Sequence, residues 1–470
     1  MPTTLSKFII DATCKQYAHP WSDSCVSTTA GLGLTALQDC LRIYSTLYII
    51  ALLTKRRIPT LSDIKRTILS ILQSTAFLSW SAFAYSMFIC LFRKLLGNFN
   101  VLTVSFVPSF FSSLTAIILE RPSRRTLLCL YVSNIATETL FRMAVSRGYV
   151  SVVPRGEVYI FAAGMATLLY FFRNQTDNQD SIFKIIRLAL GPNEEKGYLQ
   201  QSFPKPPDSA KFSRAHDNIR KNISHSSSRQ NMRKFNLVWQ ALKVYKTLID
   251  KIKSFGGKHA LCPHTNSCIH YILSGGLKMF STGLCVQLGL KLIFQMKTII
   301  RKPQQLGKIL FKKENLNLAY FLGGFASLYK LVSCSLRRGC SKNSPEYAVI
   351  AGLIASTSFA MYPDNTIALY VFWKALQLLW NSGVESGKLP EVKWFVILLY
   401  CFSTAVLFHA AIVEPQNLRT SYWKFLYNLS GGRIAVMSRI PIDGFGLETS
   451  KQLKLILEKT KTHDKHVFLF

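Results

Sequence analysis

The stretch KWFVILLYCFSTAVLFHAAIV, residues 393–413, carries a single Lys/Arg/Asp/Glu side chain, Lys393, and that one stands at its start. About 20 predominantly apolar residues in a helix cross the hydrocarbon core of a bilayer. Lipid offers the backbone no hydrogen-bond partners, so such a stretch must satisfy its amides internally, as a helix. Nine more apolar blocks near that length surround it. Five precede the middle of the chain, at about 35–54, 68–92, 101–119, 126–145 and 157–172; four follow it, at about 271–295, 316–336, 346–362 and 366–382. Side chains are 49% hydrophobic and 17% charged, against about 25% charged for a soluble domain. The pattern is that of an all-α membrane protein with about 8–10 membrane segments.

The formal net charge is +33. On a soluble chain this excess would point to nucleic acid. Here the cations cluster at the ends of apolar blocks: Lys55, Arg56 and Arg57; Arg93 and Lys94; Arg121, Arg124 and Arg125; Arg337 and Arg338. Flanking cations of this kind set topology and meet anionic head groups. No nucleic-acid-binding signature accompanies them, so membrane lipids are the expected partner and nucleic acid is not. Met1–Trp21 lacks the apolar core of a secretory signal, and Phe468-Leu-Phe470 does not match the Ser-Lys-Leu peroxisomal address. Insertion is therefore expected to use internal segments. The 11 cysteines are scattered and show no extracellular disulfide framework.

The blocks before and after the middle match each other. Ala82, Tyr85, Cys90, Arg93 and Lys94 align with Ala326, Tyr329, Cys334, Arg337 and Arg338 at a constant offset of 244. Tyr131, Val132, Ala136, Leu140, Val145 and Gly148 align with Tyr370, Val371, Ala375, Leu379, Val384 and Gly387 at an offset of 239. Shared apolar composition does not hold an offset constant, so the sequence reads as an internal duplication into two helical bundles. The segmentation that follows is an N-terminal membrane half 1–173, a polar linker 174–258, a C-terminal membrane half 259–430 and a polar tail 431–470. Basic loops follow the first block of each half, which favours parallel repeats with eight spans, ten being the alternative. Within the linker, Leu237, Ala241, Tyr245, Leu248 and Ile252 recur at helical spacing opposite lysines. Residues 235–255 thus read as a basic amphipathic helix that lies on a membrane or packs on the protein itself.

Ahead of the second half stands His259-x2-Cys262-x-His264-x3-Cys268-x-His270. Soft thiolates and imidazoles at this spacing can hold zinc with four ligands; the ordinary alternative is a polar juxtamembrane loop with buried cysteines. Cys14-x4-His19-x5-Cys25 is a thinner counterpart ahead of the first half. With no general base nearby, a metal here is expected to be structural, and no other cofactor is expected. Asn134, Glu138 and Arg142 share one face of a helix, and the duplicated register places Gln377 and Asn381 opposite the last two. Ionisable groups at membrane depth face a partner or a cavity; such a seam either glues helices together or lines a solute path. P-loop, nucleophile-elbow, zincin and dinucleotide motifs are all missing, so no catalytic residue is named and no enzyme is expected.

Several stretches carry a resemblance to a known family. Ala136-Thr-Glu-Thr-Leu-Phe-Arg-Met143, Cys268-Ile-His-Tyr271 through Lys278-Met-Phe-Ser281, Ser421-Tyr-Trp-Lys-Phe-Leu426, Arg121-Pro-Ser-Arg-Arg125 and the opening Cys14, His19, Pro20 and Cys25 resemble the transmembrane protein 135 family, also called peroxisomal membrane protein 52. More distantly, Asn317-Leu318 through Leu328-Tyr-Lys330 and Ala348-Val-Ile-Ala-Gly352 are similar to the peroxisomal membrane protein 4 group and, through it, to the Tim17/Tim22/Tim23 translocase subunits. The resemblance implies two Tim17-like helical halves and residence in mitochondrial and peroxisomal membranes. It also implies roles in mitochondrial fission and fusion, peroxisome organisation and lipid metabolism, with fission machinery or other organelle-membrane proteins as partners. The alternative activity is a conduit for lipid, metabolite or peptide along the polar residues named above.

Overall fold

The computed structural model describes residues 9–53, 59–174, 180–195, 247, 251, 253, 255–302, 304, 307, 310 and 312–462. Most of the linker, and with it nearly all of the expected helix 235–255, lies outside the described residues. The regular structure among the described residues is helical, apart from one two-residue antiparallel pairing of Ile9–Ile10 with Phe99–Asn100. The principal helices are α1 (Cys25–Leu53), α2 (Leu61–Leu96), α3 (Phe106–Leu119), α4 (Pro122–Ser146), α5 (Gly156–Asn174), α6 (Ser181–Leu190), α7 (Cys268–Arg301), α8 (Asn317–Cys340), α9 (Tyr347–Ala355), α10 (Asn365–Glu385), α11 (Phe395–Val413), α12 (Thr420–Leu429) and α13 (Thr449–Thr460).

Local chemistry fixes the ends. Thr60 caps α2 and exchanges hydrogen bonds with Asp63, a reciprocal pair that satisfies two otherwise orphaned amides. Gly97, at φ 73°, closes the same helix in the left-handed region. Pro122 stands in the first turn of α4, where its missing N–H costs nothing. The block expected from residue 101 becomes helical only at Phe106. Before it, the Asn100 side chain accepts from the Leu102 and Thr103 amides at 3.0 and 2.9 Å and holds a turn there.

Two compact units emerge, Met1–Pro154 with Trp380–Phe470, and Arg155–Leu379. They cut across the linear segmentation, because the fifth long helix of each sequence half belongs with the other half's four. In the first unit, α11 packs on α3 and α4. Tyr400 meets Phe77 at 6.2 Å between ring centres, Phe408 meets Tyr85 at 4.8 Å, and the Ser403 and Ser133 hydroxyls lie 3.0 Å apart. The segment expected to be a polar tail joins this core. Ile434, Met437, Ile442 and Ile456 are buried there, and the buried Trp423 donates to Thr462 at 3.2 Å.

In the second unit, α5 packs on α9, and Phe161 stacks on Phe359 at 4.2 Å. Small residues allow close helix approach here. A Cβ placed on Gly164 would come within 2.9 Å of the Phe372 backbone, and one on Gly283 within 2.9 Å of the Ala319 Cα. Backbone cannot yield as a side-chain tip can. Gly283→Val is therefore expected to cost about 1–3 kcal/mol. Gly289→Ala, on the same helix with nothing within 4 Å of the added Cβ, should leave the melting temperature unchanged or raise it. Thermal unfolding in detergent compares the two.

By length and composition, three described helices can cross a membrane: α2, the Cys268–Met296 part of α7, and α11. Phe106–Leu119 and Tyr347–Met361 are apolar but shorter. Helices α1, α4, α5, α8 and α10 are long enough to span; α1, α4, α8 and α10 interleave polar and charged residues with the apolar ones, whereas α5 carries its only charges, Glu157 and Arg173, at its two ends. Glu138 on α4, Lys330 and Arg337 on α8 and Lys374 on α10 are all buried within their own units. The chain is an all-α membrane protein.

Candidate metal centres

Each unit gathers three cysteines and one histidine at a point. In the first unit these are Cys14, His19, Cys25 and Cys90; in the second, Cys262, His264, Cys268 and Cys334. Within each set the four donor atoms all lie within 4.8 Å of one another.

The first set is assembled from four anchored places. Cys14 opens a one-turn helix, Cys14–Tyr17, which Thr13 and Gln16 close with a reciprocal capping box. The His19 amide donates to the Cys14 carbonyl at 3.0 Å, folding the ring back over that turn. Cys25 is the first residue of α1, and Cys90 lies in the final turns of α2. The His19 side chain is buried. Its Nδ1 donates to the Ser22 carbonyl at 2.8 Å, which turns Nε2 toward the thiols, 3.3 Å from Cys25 Sγ.

The second set repeats the plan. Cys262 and His264 lie in the loop before α7, Cys268 is the first residue of α7, and Cys334 lies near the end of α8. His264 Nδ1 donates to the Asn266 carbonyl at 2.6 Å, and its Nε2 lies 3.6 Å from Cys334 Sγ. Cys262 Sγ and Cys268 Sγ are 3.9 Å apart. Tyr271 stacks on the His264 ring at 4.6 Å, holding the imidazole in place.

These spacings fit a tetrahedral ion. With metal–sulfur bonds of about 2.3 Å and metal–nitrogen bonds of about 2.0–2.1 Å, the edges of the tetrahedron are about 3.8 Å between sulfurs and about 3.6 Å between sulfur and nitrogen. A ligating histidine typically donates its other ring N–H to a carbonyl or carboxylate, the arrangement both histidines adopt. Without an ion the groups share protons instead. Burial disfavours a charged His19 ring, but hydrogen bonds to Cys14 and to the Ser22 carbonyl outweigh it and hold its pKa up to about 9. Cys14 is drawn below the ordinary thiol value chiefly by its hydrogen bond with Cys90, and Cys262 likewise by its bond with Cys334. Four protein donors leave no open coordination position, which is the arrangement of a structural ion rather than a catalytic one.

Of the histidines and cysteines picked from sequence, Cys14, His19 and Cys25 converge in one set and Cys262, His264 and Cys268 in the other. His259 and His270 do not join them. His270 sits in the first turn of α7, where its Nδ1 lies 3.4 Å from the Asn266 side-chain amide. The fourth donor is Cys334, and its counterpart Cys90 completes the other set. Both lie more than 60 residues along the chain from their partners, beyond any local spacing search. The signal was nevertheless present, since the offset of 244 pairs Cys90 with Cys334.

Of the polar residues read as a seam, Asn134 and Glu138 are buried within the first unit, and Asn381 is not. Glu138 accepts from Arg142 at 2.5 Å and also from Arg419, just ahead of α12. One turn further along α4's end, Arg147 donates to Glu414 at 3.0 Å, and Asn417 donates to the same carboxylate at 2.8 Å. Two carboxylates thus fasten the α4 helix to the connection after α11, pairings that sequence spacing did not reveal for Arg419 or Glu414. Asn134 is buried on the same helix. Gln377 accepts from Lys374 at 2.9 Å, and Asn381 is exposed.

Residues 11–145 match the family profile described as the N-terminal cysteine-rich region of Transmembrane protein 135. No solved structure matches the chain.

Proposed function

We propose, from the chain's membership of the Transmembrane protein 135 family through its residues 11–145, that it is a non-enzymatic multi-pass protein of mitochondrial and peroxisomal membranes. In this reading it regulates the balance of mitochondrial fission and fusion, peroxisome organisation and lipid metabolism. It acts through membrane lipids and through partners such as fission machinery or other organelle-membrane proteins. The observation that carries the reading is the match across the cysteine-rich region. Apolar helices of spanning length and the closed four-donor sites support it. The less apolar long helices, several of whose charges are buried within their own units, complete a bundle of about 8–10 membrane segments, built as two duplicated, Tim17-like halves. Glu138 serves as glue between helices, since both of its partners are cations of its own unit.

The ion assigned to Cys262, His264, Cys268 and Cys334 is structural zinc. Three thiolates and an imidazole suit zinc better than the hard cations, which take oxygen ligands.

Clean deletion in cells tests the organelle role. The mitochondrial network should change in length and branching, peroxisome number should shift, and re-expression of the full chain should restore both. A network indistinguishable from the parent after deletion removes this reading. Immunogold labelling found only on other membranes removes the assigned location.

A further inference from the structure

The structure assigns a second structural zinc site, at Cys14, His19, Cys25 and Cys90, so that each unit carries one ion that locks the open end of a helix hairpin. This inference rests on the zinc reading of the cluster in the second unit and extends it to a set whose fourth ligand is invisible to local spacing.

Three observations carry it. First, the donor geometry is that of an ion site, with the 3.3 Å between His19 Nε2 and Cys25 Sγ near a zinc tetrahedron's nitrogen–sulfur edge of about 3.6 Å. Second, His19 is buried, and its Nδ1 is committed to the Ser22 carbonyl, so the lone pair that remains is the one aimed into the cluster. Third, the placement is selective. Five cysteines lie within residues 11–145: Cys14, Cys25, Cys40, Cys90 and Cys129. Only three of these converge with a histidine. Cys40 and Cys129 are buried as small apolar side chains elsewhere in the unit. A region merely rich in cysteine would show no such sorting.

The mechanical consequence follows from where the ligands sit. Helices α1 and α2 pack along each other and are joined at one end by residues 54–60. Cys25 starts α1 and Cys90 lies near the finish of α2, so an ion between them closes the other end. Cys14 and His19 bind the chain's N-terminal arm to the same point. The arm has its own attachments there: Arg93 donates to the Ala12 carbonyl at 2.7 Å, and Tyr17 donates to the Val104 carbonyl at 2.8 Å. In the second unit, α7 and α8 pack in the same way, and Cys268 and Cys334 occupy the equivalent ends.

The test is metal stoichiometry on the full chain, purified in detergent under reducing conditions without a polyhistidine tag. Elemental analysis and native mass spectrometry should both find two zinc ions per chain. X-ray absorption should give an average shell of three sulfurs and one nitrogen. The Cys14→Ser/Cys25→Ser variant should retain one ion, as should Cys262→Ser/Cys334→Ser, while Cys40→Ser/Cys129→Ser should retain both. One ion in the wild-type chain, lost on changing Cys262 and Cys334, would overturn the N-terminal site and leave the other standing. No zinc at all would overturn both. If the Cys14/Cys25 variant fails to fold, the wild-type stoichiometry and sulfur-to-nitrogen ratio decide alone: two ions with a three-to-one shell sustain the site, and any other count or ratio overturns it.

Discussion

Replacing Arg337 with methionine should destabilise the second unit by about 3–5 kcal/mol, because it leaves a carboxylate buried without its cation. Arg337 is about 1% exposed and the Glu194 side chain is fully buried. The guanidinium reaches Glu194 through two nitrogens, one of them at 3.1 Å, and Tyr271 adds a third donor to the carboxylate at 3.2 Å. The Arg337 Nε also donates to Asn343 at 3.1 Å. One ion pair therefore ties the turn after α6 to α7 and α8.

The pH dependence should reverse in the variant. In the native chain burial alone would raise the Glu194 pKa, but the charge and hydrogen bonds of Arg337 override it and hold the value below 4.5. A depressed folded-state value means that the stabilisation is fully present above about pH 4.5 and is lost as pH falls through the lower folded value. Without Arg337 only the Arg173 charge and the Tyr271 hydrogen bond oppose the burial, so the folded value rises and protonation relieves the buried charge. The variant should then gain stability on mild acidification, over a range where the native chain holds level or loses it. The double change Glu194→Leu/Arg337→Met should recover most of the loss, since apolar replacement of a whole buried pair is often nearly neutral. Melting curves of the three proteins between neutral pH and pH 4 decide it. A single variant that melts with the native chain would show that the pair contributes nothing.

The helices were legible wherever apolar residues ran unbroken, and less so where they did not. The blocks at 126–145 and 157–172 fall within Pro122–Ser146 and Gly156–Asn174. The first block, read from residue 35, begins as a helix at Cys25, because Ser27, Thr28 and Thr29 are helical without being apolar. Helix partners were not legible. An apolar face says that something must cover it, and nothing in α5 or α11 says that the covering helices come from the other half of the sequence. The final segment illustrates the same limit from the other side. Ile434, Ile442 and Ile456 are too sparse to register as a pattern, yet each is almost wholly buried. For the metal ligands, local spacing found Cys262, His264 and Cys268 because they share one loop and one helix start. It offered His259 and His270 for the same reason, proximity along the chain. Cys334 and Cys90 became ligands only when a helix returned to the start of its neighbour. Arg93 and Arg337 show where duplicated register stops informing: 244 residues apart, they hold different partners, Asp11 and the Ala12 carbonyl in one case and Glu194 in the other.

Withdrawing zinc should produce the other large effect. Stripping the purified chain with a strong zinc chelator is expected to lower its melting temperature in two-step fashion if the units unfold separately. Restoring stoichiometric zinc should reverse the change, and magnesium should not, since a set of three thiolates and an imidazole offers it no oxygen. An ion that binds only the folded state stabilises it by about 4 kcal/mol when free zinc stands a thousandfold above its dissociation constant. Acid should act in the same direction as the chelator, because thiolate and imidazole ligands take up protons as they release the ion. The consequence is local before it is global. Cys90 and Cys334 sit where the hairpin ends meet, so their thiols should become reactive to maleimide on chelation, while the buried Cys40 and Cys401, which belong to neither donor set, should stay protected until the units melt. The physical reason is that chain entropy, held down at the open end by the ion, is released there first, whereas the connected end keeps its covalent closure. Equal labelling of all four thiols at the moment of chelation, or a melting curve indifferent to zinc, would mean that helix packing alone closes these hairpins and that the clustered cysteines are fillers of a tight corner.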